Sequence, residues 1–316
     1  MKKRKLLRPL AFLLGFLLLF SVFFTLFMRV LPDPYTTAYQ RAIVRQYDHF
    51  RAIEGNKMVF IGNSSLSFGF DLNLMEDLSE KPCAILGNHA GMGLTYFLEM
   101  SKENLQRGDV VVVEYSDSAL KNMGTQLLFS GIGQRADMYR YFPLKHWKNV
   151  FLEYPTYTKK TMNYMLAGGM ESSGSYSIAS YDERGNMSLY REACNIPSPY
   201  TEEVAKTYQW ATFDTAYSTE SVENLNAYTA WCHARGIQVY VIGGVYLDEA
   251  VRSTEEEIEK SDQALAALLD APLITNTSDY IFTRDYIYNA IMHCNTLGAQ
   301  RRTTQIHEDL MSYSEK

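Results

Sequence analysis

The sequence contains little cysteine, and the spacing of its cysteines argues against two common kinds of site. Its 316 residues include four cysteines, which are Cys83, Cys194, Cys232 and Cys294. No CxxC pair occurs, so a zinc or thioredoxin-like motif has no support. The six histidines show neither HxH nor HExxH spacing, so a metal hydrolase is disfavoured. We predict no metal and no cofactor, and we favour scattered buried thiols over disulfides formed outside the cytoplasm.

Charge is absent from the 19 residues between Leu10 and Met28. A helix that spans a bilayer needs about 20 predominantly apolar residues. Five basic residues precede this stretch and only Arg29 follows it closely, which places the N-terminus in the cytoplasm. The alternative, a cleaved signal peptide, lacks a small-residue cleavage site here. We predict a basic cytoplasmic tail over residues 1–9, a transmembrane helix over residues 10–30 and a single-pass location in the cell membrane.

Acidic residues outnumber basic residues in the remainder of the chain. The net charge is −6 and the first 30 residues contribute +6, so the rest of the chain carries −12. Such an acidic segment argues against binding to nucleic acid or to an anionic surface, although solubility is a sufficient explanation of the charge. We predict that the chain contacts the lipid bilayer through residues 10–30. We predict no binding to nucleic acid.

Short, continuous apolar runs recur after residue 57, and turn residues close most of them. They are Met58–Ile61, Cys83–Leu86, Val110–Val113, Ile237–Ile242 and the shorter Leu273–Ile274. Continuous apolar runs are typical of parallel strands covered on both faces. Helical patterns separate these runs, over Met92–Leu105, Glu220–Ala234 and Thr254–Leu269. This alternation predicts an α/β fold, with three α/β/α layers around a mostly parallel sheet.

Two further segments complete the predicted organisation. Tyr35–Glu54 has an apolar face at helical spacing, so we assign residues 31–56 to a juxtamembrane helix. Residues 57–316 then form the domain outside the cytoplasm. An aromatic-rich insertion or lid, partly helical, interrupts that domain over about residues 122–208. Loops of this kind often carry binding surfaces, while a plain covering subdomain is the alternative.

Candidate functional residues follow the strands, because open parallel sheets bind ligands beyond the carboxyl ends of their strands. Ser64 in Gly62-Asn63-Ser64 begins a helix after the first strand, where N–H groups hold anions, although the same tripeptide is also an ordinary turn. Further strand-end residues that could line the crevice are Asn63, Asn88, His89, Glu114 and Tyr115, while Gly87 allows the backbone to approach a ligand or makes a tight turn. His293 precedes the last helix and could act as a base for Ser64, with His89 as its competitor.

Taken in order, these motifs resemble the SGNH/GDSL hydrolase superfamily, and most closely its membrane-anchored bacterial branch. That branch includes the alginate O-acetylation proteins and the teichoic-acid D-alanine-transfer protein. The resemblance implies a flavodoxin-like, SGNH-type domain with Ser64 as nucleophile and His293 as base. It also implies an oxyanion hole formed by the N–H groups of Ser64 and Gly87. Asn295, Gly298 and the run Arg301-Arg302-Thr303 resemble the family's final block.

Two positions depart from that pattern. The predicted strand Val110–Val113 is followed by Glu114-Tyr115, where the family has an Asn after a glycine. Three residues before His293 stands Ala290, where the family has an Asp. The neighbouring Asn289 could orient His293 instead, as in Cys-His-Asn enzymes, and Asp285 is another candidate. The resemblance predicts a bacterial serine esterase or O-acyltransferase that acts on a cell-envelope or secreted glycan. The alternative is a catalytically silent domain that binds glycan or a multi-span membrane acyltransferase partner.

Overall fold

The computed structural model describes residues 2–30, 33–116 and 124–314, with several side chains of the first helix left undescribed. The α-helices are Lys2–Val30 (α1), Ala42–Ala52 (α2), Ser64–Phe68 (α3), Leu72–Ser79 (α4), Leu94–Ser101 (α5), Thr125–Ile132 (α6), Trp147–Leu166 (α7), Glu202–Tyr208 (α8), Thr219–His233 (α9), Glu255–Leu268 (α10) and Thr296–Ser314 (α11). The strands are Met58–Ile61 (β1), Cys83–Leu86 (β2), Val110–Glu114 (β3), Gln238–Ile242 (β4), Tyr246–Leu247 (β5) and Ile281–Phe282 (β6).

The central sheet has the strand order β2-β1-β3-β4, and every neighbouring pair in it is parallel. The predicted α/β class with a mostly parallel sheet is therefore confirmed. Because Ile61 pairs with both Leu86 and Val113, the carboxyl ends of these three strands lie at one edge. The prediction that the residues following the three strands share that edge is confirmed as well.

The fifth predicted strand, Leu273–Ile274, does not form as an element of its own. Leu273 makes only an isolated parallel bridge to Val241. The Val241 N–H donates to the carbonyl of Pro272, and the Ile274 N–H donates back to the carbonyl of Val241. Two residues after a proline, which has no N–H, are too few to extend the ladder.

Helices cover both faces of the sheet because its side chains alternate between two apolar clusters. Val59 and Ile61 of β1 belong to the cluster that α2, α5 and α9 help to form. Met58 and Phe60 belong to the cluster completed by α4 and α11. The strand interiors are thus buried on both sides, as continuous apolar runs require.

Helix α2, which lies in the predicted juxtamembrane segment, is part of this core. Its predicted apolar face is confirmed, since Ala42, Ile43, Tyr47 and Phe50 are all fully buried. The helix is shorter than Tyr35–Glu54, because a single 3₁₀ turn over Tyr39–Arg41 precedes it. Its packing against β2 means that the globular body begins before residue 57.

Helix α1 includes the uncharged stretch from Leu10 to Met28. Large apolar side chains such as Phe12, Leu18 and Leu19 are exposed along it. Within the part of the chain that the structure describes, no helix meets the length and hydropathy required of a membrane span. The transmembrane helix over residues 10–30 stays a prediction. The predicted juxtamembrane segment begins with residues 31–32, which lie outside the described residues. The predicted insertion begins with residues 122–123, which also lie outside them.

The cysteines are free thiols, as the sequence favoured. Cys83, Cys232 and Cys294 are buried, and Cys194 is half-buried. Burial raises the pKa of Cys83 to about 12 and that of Cys232 to about 11. These side chains therefore stay protonated at neutral pH and behave as small core hydrophobes.

Candidate active site

Ser64 lies at the point where the chain turns from strand β1 into helix α3. Asn63 caps that helix, because its side-chain oxygen accepts a hydrogen bond from the Ser65 N–H at 2.7 Å. The cap fixes Ser64 as the first helical residue, and its side chain is half-buried. The hydroxyl therefore stands at the carboxyl edge of the sheet, beside the positive end of a short helix.

His293 reaches Ser64 from the loop that precedes helix α11. Its Nε2 atom lies 3.0 Å from Ser64 Oγ, although 229 positions separate the two residues in the sequence. The imidazole stacks on the ring of Phe68, with centroids 4.1 Å apart and an interplanar angle of 6°. Phe68 is four residues after Ser64 in helix α3, so both lie on one face of that helix. One helix therefore carries the hydroxyl and supports the ring that faces it.

Asn289 holds the other nitrogen of the imidazole. Its Oδ1 atom lies 2.9 Å from His293 Nδ1, and its amide N–H donates to the hydroxyl of Tyr176 at 3.2 Å. An amide in this orientation accepts the Nδ1–H, so Nε2 is left unprotonated and can accept the proton of Ser64. The three predicted residues thus form one hydrogen-bonded chain, with the geometry of a nucleophile, a base and an orienting group.

Burial keeps His293 neutral. The pKa of its imidazole is lowered from 6.5 to about 3, chiefly by desolvation, and the charges of His89 and Arg191 lower it further. The neutral form is the one that can accept a proton. A pKa so far below neutrality makes the ring a weak base, however, because general-base catalysis is most effective near the working pH.

One of the two predicted oxyanion donors, the Gly87 N–H, is already engaged. The Gly87 N–H donates to Gln46 Oε1 at 3.1 Å, and Gln46 Nε2 donates to the Gly87 carbonyl at 2.9 Å. Gln46 is fully buried on helix α2 and satisfies both backbone groups of Gly87. A substrate oxyanion would have to displace this side chain to reach the Gly87 N–H. Of the two predicted donors, the Ser64 N–H at the start of α3 is better placed.

Glycine is nevertheless required at position 87, for packing reasons. A Cβ atom there would collide with the carbonyl group of Gly62 on the neighbouring strand end. The first two predicted motifs therefore meet directly, but they meet through a close approach of their backbones.

Two of the predicted crevice residues are fully buried, and a third, His89, is half-buried. Asn88 is fully buried and donates to the Tyr39 carbonyl at 3.2 Å, and Glu114 is buried against Arg302 at 2.6 Å. These two residues do not line an open crevice, which corrects the prediction for them. Half-buried His89 accepts from the Gly91 N–H at 2.8 Å, so its Nδ1 lone pair is engaged locally. No contact between His89 and Ser64 is recorded among the described residues, whereas His293 makes one.

Arg302 lies beneath the site and ties three of its elements together. Its guanidinium donates to the Ser65 carbonyl at 3.0 Å, to the Glu114 carboxylate at 2.6 Å and to the Gly243 carbonyl at 3.0 Å. Both charged side chains are fully buried, and burial raises the pKa of Glu114 against the opposing effect of Arg302. The sequence contained a clue to this pair, because an acid at the end of a buried strand requires a partner.

A cavity of about 550 Å³ opens at the same sheet edge, beyond β3 and β4. Tyr115, Tyr217 and Tyr246 form the aromatic parts of its wall. Met292, which directly precedes His293, also lines it. In the β1–β3 register Ile61 pairs with Val113, so Asn63 and Tyr115 occupy corresponding positions beyond the two strand ends. The cavity is therefore close to the Ser64 site, and the predicted crevice residue Tyr115 does line an open space.

Comparison with known proteins adds no family to this description. Neither the scan against protein-family models nor the search of curated proteins returned a match for this chain.

Proposed function

We propose that this chain is a serine esterase or O-acyltransferase of the SGNH/GDSL type. The observation that carries the proposal is the hydrogen-bonded chain Ser64–His293–Asn289, with successive separations of 3.0 and 2.9 Å. The strand order 2-1-3-4, which flavodoxin-like folds share, supports the same assignment. Fold alone does not define an activity, so the proposal depends on the site.

The reaction follows from the geometry of the site. Ser64 Oγ attacks the carbonyl carbon of an acyl ester while its proton passes to His293 Nε2. The tetrahedral intermediate collapses to an acyl-enzyme, and the imidazolium returns that proton to the departing alcohol oxygen. A water molecule or a sugar hydroxyl then attacks the acyl-enzyme with the same help from His293. Asn289 holds Nδ1–H throughout, so the ring keeps one orientation.

The substrate we propose is an acylated glycan of the cell envelope or a secreted glycan. Tyr176, from the predicted insertion, contacts Asn289, and the aromatic cavity beyond β3, whose wall includes Met292 directly before His293, offers space for sugar rings. Asp214 and Asp262 line this cavity, and no basic side chain is among its described lining residues. That lining favours a neutral glycan over an anionic one.

We further propose that residues 10–30 anchor the protein in the cell membrane, with the catalytic domain outside the cytoplasm. The absence of charge from Leu10 to Met28 and the basic residues before it support this orientation. A reporter fused after Lys316 that is active only when exported tests the proposal. Activity of a reporter that works only in the cytoplasm would reject it.

Fluorophosphonate labelling and ester hydrolysis of the full-length chain test the mechanism. Ser64→Ala should abolish labelling, and Ser64→Ala and His293→Ala should each lower turnover at least ~100-fold. The double variant should be no slower than either single one, because residues that act as a unit are not additive. His89→Ala is the matched histidine control and should leave most of the activity. Unchanged turnover in Ser64→Ala would reject the mechanism.

A catalytically silent binding domain is the second candidate, and the Gln46–Gly87 pair favours it. Because Gln46 occupies the Gly87 N–H, the site has lost a ready oxyanion donor that acyl transfer normally uses. This candidate predicts no labelling of Ser64. It also predicts binding to a glycan, or to a multi-span membrane acyltransferase, that survives in Ser64→Ala.

A further inference from the structure

Helix α7 carries an exposed stripe of apolar side chains. Its buried side is formed by Val150, Tyr154, Tyr157 and Thr161. A second set of apolar side chains faces outward, consisting of Phe151, Leu152, Pro155, Met162 and Leu166. Leu166 is 87% exposed and Phe151 is 63% exposed. At 3.6 residues per turn, all of the outward set except Leu152 falls within about 60° around the helix.

This stripe is continuous with helix α1. The rings of Phe20 and Tyr154 meet edge to face with centroids 6.1 Å apart. A largely apolar groove of about 390 Å³ runs between the two helices, and Phe23, Met162 and Leu166 are among the residues that line it. The exposed apolar surfaces of α1 and α7 therefore adjoin each other.

The charge of this segment has the opposite sign to that of the chain. Residues 144–166 contain Lys145, Lys148, Lys159 and Lys160 and a single acid, Glu153, in a protein with a net charge of −6. Lys148 and Lys159 are exposed on the same side as the apolar stripe. A helix that combines an apolar face bearing Phe and Leu with flanking lysines has the pattern of helices that lie in the membrane interface.

We propose that α7 is a second membrane contact, which lies on the lipid surface beside α1 with its lysines against anionic headgroups. The inference rests on the proposed membrane anchor, and it goes further because it fixes which side of the globular body faces the bilayer. Continuity with α1 and the local positive charge favour lipid over a protein partner at this face.

Site-specific quenching in vesicles tests the proposal with the full-length chain. The vesicles contain phosphatidylcholine, phosphatidylglycerol and a lipid with a nitroxide near the top of its acyl chain. Cys194→Ser removes the most accessible native thiol, and Leu166→Cys then receives a fluorescent label. Leu268→Cys is the matched control, because Leu268 is an exposed leucine at the end of helix α10. Leu14→Cys in α1 reports on the anchor itself.

The label at position 166 should lose at least about half of its fluorescence, and the label at position 268 almost none. Quenching at position 14 without quenching at position 166 would overturn the α7 contact while the anchor stands. Absence of quenching at both would reject the anchor and the contact together. Equal quenching at positions 166 and 268 would show non-specific adhesion and would also overturn the proposal. A blue-shifted but unquenched label at position 166 would mean that protein covers this face.

A charge reversal tests the role of the lysines. Lys148→Glu with Lys159→Glu should weaken quenching at position 166 in vesicles that contain phosphatidylglycerol. The same double variant should have little effect in vesicles of phosphatidylcholine alone, since those carry no net surface charge. An equal effect in both kinds of vesicle would overturn the electrostatic part of the proposal.

Discussion

Acidification should destabilise the folded protein through His293. The pKa of this buried imidazole is about 3 in the folded chain, against 6.5 for an exposed histidine. Below pH 6.5 the unfolded chain takes up a proton that the folded chain refuses, so stability is lost as the pH falls. The loss grows by up to about 1.4 kcal/mol per pH unit until the folded pKa is reached. Between about pH 7.5 and about pH 5 it amounts to about 2 kcal/mol.

Denaturant unfolding of the full-length chain in mild detergent, followed by tryptophan fluorescence, measures this loss. The His293→Gln variant keeps a polar amide beside Ser64 and Asn289 but cannot be protonated. Its stability should therefore fall by about 2 kcal/mol less than that of the wild type over the same pH range. His89→Gln is the matched control and should keep the His293 contribution. Parallel losses in the wild type and in His293→Gln would refute the reasoning.

Three further substitutions test contacts of the site. Asn289→Ala should lower turnover by about tenfold or more without unfolding the protein, because the imidazole loses the acceptor that fixes its tautomer; ester hydrolysis and circular dichroism check this. Gly87→Ala should lower the free energy of unfolding by about 1–3 kcal/mol, since the added methyl group meets the backbone of the neighbouring strand end; the urea midpoint measures it. Arg302→Met should cost about 3–5 kcal/mol by leaving the buried Glu114 carboxyl without its partner, and adding Glu114→Leu should recover most of that loss in the same assay.

The parts of the fold that could be predicted are those with a local pattern. The bounds of β1 and β2 match the predicted runs because a glycine closes each strand and both faces of the sheet are apolar. Helix α5 begins at Leu94 and not at Met92, because a 3₁₀ turn over Ala90–Met92 intervenes. Such a turn has no periodic signature, so the sequence alone could not separate it from the helix.

The candidate site also contains residues that could be predicted from the sequence and residues that could not. Ser64, His293 and Asn289 were predictable because each follows a strand or precedes a helix in a recognisable order. Gln46 was not, since its partner is the backbone of a residue 41 positions away, and any buried polar side chain could play that part. Tyr176 was not predictable either, because the sequence contains 23 tyrosines and nothing distinguishes the one that reaches Asn289.

An amide at the third position of the proposed triad is consistent with the charges around His293. The guanidinium of Arg191 is buried nearby and donates to the backbone carbonyls of Phe68, Cys294 and Leu189. The positive charge of Arg191 disfavours a second positive charge on the imidazole, and the neutral amide of Asn289 orients the ring without offsetting that charge. In the proposed acyl transfer, the imidazolium forms together with an oxyanion on the substrate. In a site of low dielectric constant, these opposite charges stabilise each other strongly. The substrate oxyanion therefore supplies the negative charge that the neutral Asn289 does not offer to the imidazolium.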